Sequence, residues 1–512
     1  MIIDAYEVPN GKTVDAEICI IGGGIIGIAI ARELRSRGLG VTILESGGKE
    51  MEQDSQSLYK GDGRIFETGS NKRELPDYLH QSRLRLLGGS VHGWGGKCGI
   101  PDAEVFEKRD WIPNSGWPFS RQELMPFFDR ACDTLKIPRF DYDANEIFDK
   151  DRPTFIFGPE KRLTTSPRHI SPVTRRGPKE MIEAYRGSVA DDPNADVYLH
   201  ANVVDIVTNE TGNAITQVEV ATLKQGRFTV RAKRFILATG GIENVRLLLN
   251  SSKKHKNGLG NDHGLVGRYF SGHTTFANSS ALYLTNRHQP LTLYQNKDAR
   301  KIWGVFKTSR QTQIDHKLPN FTVSLNSGSP RPNSKDAAVM QSSFLMDGRM
   351  ANPSLEKYSP RGSFAQAYFM TELAPNPESR ISLDEQTDAL GQQRVRMDWK
   401  FSKDDLDGLA RSAKVFGQEM GASGMGRMKA VFRRDRLLMT TGPSRHHIGT
   451  TRMDENPKSG VVDTDCKVHG LENLYIAGSS VFPSGGIINP TLTIVALGMK
   501  LADHLVDIGK GA

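Results

Sequence analysis

A β-branched apolar run, Ile18-Cys19-Ile20-Ile21, leads directly into Gly22-Gly23-Gly24-Ile25-Ile26-Gly27. No other stretch of this 512-residue chain restricts its fold so tightly. The run reads as a buried parallel strand. Ile25 to Arg37 then reads as a helix, with Arg35 and Arg37 in its last turn and Gly38 at its C-terminal end. Val41 to Leu44 reads as a second strand, closed by Glu45. Gly22, Gly24 and Gly27 fit G-x-G-x-x-G, in which the first glycine allows the tight turn. The second lets a pyrophosphate approach the backbone, and the third lets helix and strand pack closely. The helix N-terminus adds free N–H groups and a positive dipole end. Glu45 stands where an acid accepts hydrogen bonds from ribose hydroxyls. A dinucleotide site is expected, and the loop alone does not choose between NAD and FAD.

A chain of this length divides into two to four domain-sized units. Val197 to Val207 reads as strands, Ala214–Val220 and Phe228–Ala232 as an alternating pair, and Phe235-Ile236-Leu237 as a further buried strand running into Ala238-Thr239-Gly240-Gly241. Helices are expected at Arg121–Leu135, Glu243–Leu249 and Phe401–Gly421, and residues 49–100 read as loops and short helices over a cofactor. The fold class is α/β. A discontinuous Rossmann-like cofactor domain takes 1–100, 186–270 and 441–512, and an α+β substrate domain with a mixed or antiparallel sheet takes 101–185 and 271–440. Residues 325–362, dense in Ser, Pro, Gly and Arg, are the least regular and a candidate lid.

Charge and cysteine usage exclude several classes. The net charge of +8 comes from scattered basic residues, not from a basic stripe interleaved with aromatics, so nucleic acid is not an expected partner. Cys19, Cys98, Cys132 and Cys466 form no C-x-x-C pair; no metal site or cluster is expected, and free thiols suit a reducing cytoplasm. The first 17 residues show no secretory pattern. The most apolar run, Ile18 to Ala31, is short and holds four glycines, whereas a membrane span needs about 20 apolar residues. A cytoplasmic protein with no membrane segment is expected, and a homo-oligomer is allowed.

The last seventy residues carry the remaining chemistry. His446-His447-Ile448-Gly449-Thr450-Thr451-Arg452-Met453 is followed by Asn489-Pro490-Thr491, a base and a hydrogen-bonding partner set among glycines. Four stretches together resemble the glucose–methanol–choline (GMC) oxidoreductases. Gly88-Gly89-Ser90-Val91-His92-Gly93-Trp94-Gly95-Gly96-Lys97-Cys98 is similar to that family's flavin-covering segment. Ala238-Thr239-Gly240-Gly241-Ile242-Glu243-Asn244 is similar to its second nucleotide-contact strand. The His446 segment resembles its H-x-x-G-T-x-R-M motif, and Val468 to Pro483, running on to Asn489-Pro490-Thr491, resembles its C-terminal signature.

The resemblance implies non-covalent FAD and oxidation of a carbon–hydroxyl group. Gly22, Gly24 and Gly27 would hold the pyrophosphate, Glu45 the adenosine ribose, and the backbone of Val203, with Val204 nearly as good a match, the adenine. Ser90, Trp94, Gly95, Gly96 and Cys98 would lie along the isoalloxazine, with Ala238 on the second contact strand. Gly478, Ser479, Asn489 and Thr491 would reach the ribityl–pyrimidine side. His446 would take the hydroxyl proton while hydride moves to flavin N5, and Asn489 would hydrogen-bond the same oxygen. His447 is a rival by adjacency. Pyranose 2-oxidases attach FAD through a histidine that aligns with Gly93, one place from His92. The Trp94 segment with Asn489-Pro490-Thr491 is most similar to the sugar-acting bacterial branch, so a pyranose or glycoside is the expected substrate, with O2 or another molecule as acceptor. Choline, aryl alcohols or sterols are the alternative substrates. A flavin lyase without redox turnover and an NAD-dependent dehydrogenase are the alternative classes.

Overall fold

The chain alternates short parallel strands with helices at both ends and places antiparallel strands between them. In this computed structural model the described residues are 1–66, 72–140, 157, 160–174, 179–191, 195–251, 253–276, 280–284, 294, 302–327, 363–424, 426–430 and 441–510. Among them, an eight-stranded sheet runs in the order Ile2–Asp4, Ala195–Leu199, Val41–Leu44, Thr13–Ile21, Arg227–Leu237, Ile215–Ala221, Asn202–Thr208, with Leu474–Ile476 beside the end of Arg227–Leu237. The first five strands are parallel, and the last two return antiparallel. Strand Val41–Leu44 is wholly buried and the second half of Thr13–Ile21 nearly so, as expected where helices cover both faces. Helix Ile25–Ser36 packs against the C-terminal helix Thr491–Lys510. A Cβ on Gly498 would lie 2.4 Å from Ile26 Cδ1, so a larger residue there would displace the Ile26 side chain.

Two sequence-level boundaries move. Phe228–Ala232 and Phe235–Leu237 are one strand, Arg227–Leu237, because Thr229 to Leu237 pairs in register with Thr13 to Ile21 and crosses the charged Lys233-Arg234 step. The helix expected from Glu243 begins at Gly240, whose φ of +87° turns the strand end into the helix. Helices Lys179–Ala190 and Thr491–Lys510 are additions to the sequence reading.

A nine-stranded antiparallel sheet forms the second layer. It contains Lys97–Cys98, Leu163–Ile170, Ile302–Thr308, Phe321–Ser327, Ser363–Thr371, Ser280–Leu284 and Gly426–Ala430, with Thr274–Phe276 and Thr441–Pro443 at its margin. A four-stranded sheet links chain segments that are far apart: Gly61–Phe66 and Lys72–Glu74 join Arg380–Thr387 and Gln393–Lys400. Most of the 325–362 stretch falls outside the described residues. No described helix is long and apolar enough to cross a membrane, and the described residues hold no grouping of His, Cys, Asp and Glu suited to a metal. All four cysteines are buried.

One buried ion pair ties the second layer to the first. Arg109 Nη1 and Nη2 donate to the two carboxylate oxygens of Glu372, each at 2.8 Å, with both side chains almost inaccessible. Glu372 also accepts from the backbone N–H groups of Gly486 (3.2 Å) and Asn320 (3.3 Å). Burial alone would raise the Glu372 pKa; the guanidinium overrides it, and the carboxyl stays below its ordinary value. Removing one partner strands the other charge in low dielectric. Arg109→Met is therefore expected to cost about 3–5 kcal/mol in urea unfolding, with Arg109→Met/Glu372→Gln recovering part of the loss. Equal stability of the single and double variants would contradict that coupling.

Candidate active site

The parallel strands of the first sheet end at one cavity of about 460 Å³. Gly22, Gly24, Glu45, Val203 and Ala238 line one part of it, and Ser90, Trp94, Gly95, His446, Gly478, Ser479, Asn489 and Thr491 line another. Of the residues singled out from the sequence, Gly27, Gly96 and Cys98 are not on its wall. A Cβ on Gly27 would lie 2.0 Å from Gly22 O, so this glycine closes the helix onto the loop. Gly96, at φ +79°, packs its α-carbon against Thr174 and Ser171, and Cys98 is buried on the short strand that pairs with Leu163–Ile170. Val203 lines the cavity and Val204 does not. Neither does His92, whose Nε2 donates to Leu87 O at 3.2 Å.

The cavity is built to take a dinucleotide by its backbone. Gly24, Gly95, Gly240 and Gly478 all line it, and a Cβ at any of the four would meet no protein atom within 4 Å. The missing side chains therefore leave open cradle and not packed core. Gly24 is the N-cap of helix Ile25–Ser36 and offers no side-chain cap, which leaves the first helical N–H groups for a phosphate. Glu45 Oε2 accepts from Gly23 N and Oε1 from Gly47 N, each at 2.8 Å. Burial raises the Glu45 pKa against the pull of those two N–H groups. Trp94 Nε1–H is buried, on the wall, and has no acceptor, as expected of a donor reserved for a ligand.

His446 is held by two strand ends that run antiparallel. Thr274 to Phe276 pairs with Thr441 to Pro443, and Ser271 bridges Ile448. A Cβ on Gly272 would lie 2.5 Å from His446 O, so a glycine is needed for the chains to come this close. The following residues are stitched to the C-terminal signature by backbone bonds: Gly449 N to Ser479 O, Thr451 N to Ser480 O and Met453 N to Val481 O. Thr450 Oγ1 donates to Gly241 O at 2.5 Å, and Asn244, wholly buried, joins Thr239 to Ser480 Oγ. The H-x-x-G-T-x-R-M pattern is thus a clamp as well as a carrier of the histidine.

At the cavity wall, Asn489 Nδ2 donates to His446 Nε2 at 3.1 Å. On the other side of the ring, His446 Nδ1 meets Nδ1 of His273 at 2.8 Å. Burial chiefly, with the neighbouring His273 and His447 rings and Lys97 adding to it, holds the His446 pKa well below the ordinary value. The imidazole is therefore neutral at neutral pH and able to accept a proton. His447 also lines the cavity, but its ring is committed elsewhere. Tyr78 Oη donates to Ser444 O at 2.6 Å and so accepts from His447 Nε2 at 3.2 Å. Burial, aided by Arg83 and Arg445, pushes the His447 pKa down to about 3.

Three further residues stand at the site without having been read from the sequence. Lys97 is on the wall next to the glycine segment that was read. Arg83 and Arg85 stack on Tyr59, with ring-centroid distances of 4.0 and 4.3 Å, and both bond Glu243. Two arginines spaced by one residue were visible in the sequence, but nothing in their spacing pairs them with a glutamate on a distant helix.

Comparison with known proteins agrees with this construction. Residues 375–498 match the GMC oxidoreductase C-terminal family model, and 17–57 match the FAD dependent oxidoreductase model. The chain is 23% identical to a 2-methyl-1,2-propanediol dehydrogenase of Mycolicibacterium austroafricanum, over 96% of this chain and 95% of the relative. It is 24% identical to a pyranose 2-oxidase of Tricholoma matsutake, over 83% and 73%. Its fold is similar to that of a formate oxidase from Aspergillus oryzae, with a TM-score of 0.57 and 16% identity over 98% of this chain and 100% of that one. Residues 375–498 are thus similar to the GMC oxidoreductases and 17–57 to the FAD dependent oxidoreductases, and the chain is an FAD-dependent oxidoreductase.

Proposed function

We propose that this enzyme oxidises a ring hydroxyl of a pyranose or glycoside to the ketone, with His446 as the proton acceptor and Asn489 as the oxygen-positioning donor. The observation that carries the reading is the 3.1 Å contact of Asn489 Nδ2 with His446 Nε2 on the cavity wall. The amide donor stands where a substrate hydroxyl must enter to reach the base. An alcohol gives up hydride readily only once its oxygen is losing its proton. A neutral Nε2 takes that proton, and the amide N–H then hydrogen-bonds the oxygen that gains negative charge. Bound FAD supplies the hydride acceptor. His447 is a poorer candidate because its Nε2 faces Tyr78. The sugar assignment is supported by the name of the pyranose 2-oxidase relative and by the Trp94 and Asn489 segments. FAD is held without a covalent bond in this reading, since His92 turns toward Leu87 O. The electron acceptor is O2 or another molecule, and the protein works in the cytoplasm.

The decisive experiment follows flavin bleaching under nitrogen with glucose, methyl glucosides, a small vicinal diol, choline and an aryl alcohol. Bleaching by the sugars supports the reading; bleaching by the diol alone transfers the enzyme to small non-sugar alcohols, and no bleaching by any of them favours a lyase. His446→Ala is expected to slow reduction about 10²–10⁴-fold, and Asn489→Ala to slow it less. Full-rate reduction in the His446 variant would remove it from the chemistry.

Two cofactor predictions accompany these. Gly24→Val projects a branched side chain into the open cradle, and folded but colourless protein is expected, measured as the ratio of visible flavin absorbance to ultraviolet protein absorbance. Acid precipitation should leave the yellow colour in the supernatant. A yellow pellet would establish a covalent link.

A further inference from the structure

The base has a second neighbour that the sequence reading did not name. We infer that His273 is a positioning residue that fixes His446 in the Nδ1–H tautomer, so that Nε2 is the proton-accepting atom; this rests on the reading of His446 as the base.

A neutral imidazole carries one N–H and one lone pair. Asn489 presents an N–H to Nε2 of His446 at 3.1 Å, which requires the lone pair there. The proton therefore lies on Nδ1, and Nδ1 donates to Nδ1 of His273 at 2.8 Å. The two rings meet edge to face, with centroids 4.8 Å apart and planes at 80°, so the His446 N–H can point at a lone pair of the His273 ring. His273 must then keep its own proton on Nε2.

The surroundings hold the His273 backbone in place, while its Nε2 is buried without a hydrogen-bond partner among the described residues. The residue is 1% exposed and stands at the start of strand Thr274–Phe276. Its position is fixed at the main chain: the backbone N–H donates to Ser444 Oγ at 3.0 Å and the carbonyl accepts from Ser444 N at 3.2 Å. Burial lowers its pKa to about 4, against the backbone at Gly485 and Gly486 and the charge of Glu372, and with Arg168 adding to the lowering. It stays neutral and remains an acceptor. Gly486 N is itself bonded to Glu372, so the Arg109–Glu372 pair steadies the turn behind His273 and the chain that leads on to Asn489.

A neutral histidine behind the base differs in consequence from a carboxylate. A carboxylate would stabilise the imidazolium formed on proton uptake and raise the basicity of His446. His273 orients the ring without adding a negative charge. The groups that act on the His446 charge are His273, His447 and Lys97, with Arg445 on the same wall, none of them anionic. The base is thereby kept weak, and its acid limb should fall below the ordinary histidine value of about 6.5.

Nitrogen-15 NMR of histidine-labelled holoenzyme tests the assignment without turnover, with the His446 signals identified by their loss in His446→Ala. Wild-type enzyme should show a protonated Nδ1 and a bare Nε2, and His273→Phe should shift the ring to a tautomer mixture. An unchanged Nδ1–H tautomer in His273→Phe would overturn the inference. If the Phe variant does not fold, His273→Asp decides: the acid limb of kcat/KM for flavin reduction should rise by at least about one pH unit, and an unmoved limb counts against the role. Full-rate reduction by His446→Ala would sink the functional reading instead, leaving the tautomer result to judge His273 alone.

Discussion

The backbone bonds on both sides of residues 446–453 are the constraint on which the site depends. On one side Ser271 and Ile448 exchange N–H and C=O at 3.0 Å; on the other, Gly449, Thr451 and Met453 donate to the Ser479–Val481 turn. The segment is therefore a seam between the antiparallel layer and the last strand of the parallel sheet. A histidine on a free loop would sample many positions, at an entropic cost paid whenever the reactive geometry forms. Here both of its neighbours in space are fixed before any substrate arrives. Gly272 and Gly241 allow this, since a Cβ at either would lie about 2.5 Å or less from the carbonyl of His446 or His447 (2.5 and 2.4 Å).

Electrostatically the site combines neutral bases with nearby cations. His273, His446 and His447 are each held neutral chiefly by burial. Lys97 is on the same wall, and Arg83 and Arg85 stand nearby in a network whose acid, Glu243, they share with Arg246. Glu243 is drawn down to about 2 by the three guanidiniums despite its burial. Such an arrangement favours negative charge arriving from outside the protein: the phosphates of a dinucleotide and the oxygen of a substrate losing its proton.

Much of this was legible in the sequence where function is written in contiguous residues. The Gly22 loop, its flanking strand and helix, Glu45, Trp94 and the His446 and Asn489 segments each carry their signal locally. Most of these residues line the cavity. Gly96 and Cys98 lie in the same run as Trp94 and Gly95, yet the chain turns at Gly96, φ +79°, and carries them into the second layer. His273 shows the opposite case. Nothing in Ser271-Gly272-His273-Thr274 marks it as functional, because its meaning comes from a register with Thr441–Pro443 that only the folded sheet supplies. The joined strand Arg227–Leu237 was split in reading for a related reason: Lys233 and Arg234 look like a break locally, and the pairing with Thr13–Ile21 carries the strand across them.

The second layer reaches the site of the first through the stretch that carries Asn489. Asn489 and Gly486 belong to one short stretch between the Ser479–Val481 turn and the C-terminal helix. Gly486 N is fixed by Glu372, Ser484 Oγ accepts from Gly116 N at 2.8 Å, and Ser484 O accepts from Trp117 Nε1 at 3.1 Å. All three anchors come from residues outside the dinucleotide-binding sheet. Asn489 follows this stretch directly, and Thr491 after it opens a helix packed on Ile25–Ser36. Asn489, which meets His446, is thus positioned from two directions at once, by the antiparallel layer and by the helix pair behind the Gly22–Gly27 loop. A shift in either layer moves Asn489 relative to His446, so under the proposed mechanism the geometry of proton acceptance is coupled to the docking of the layers.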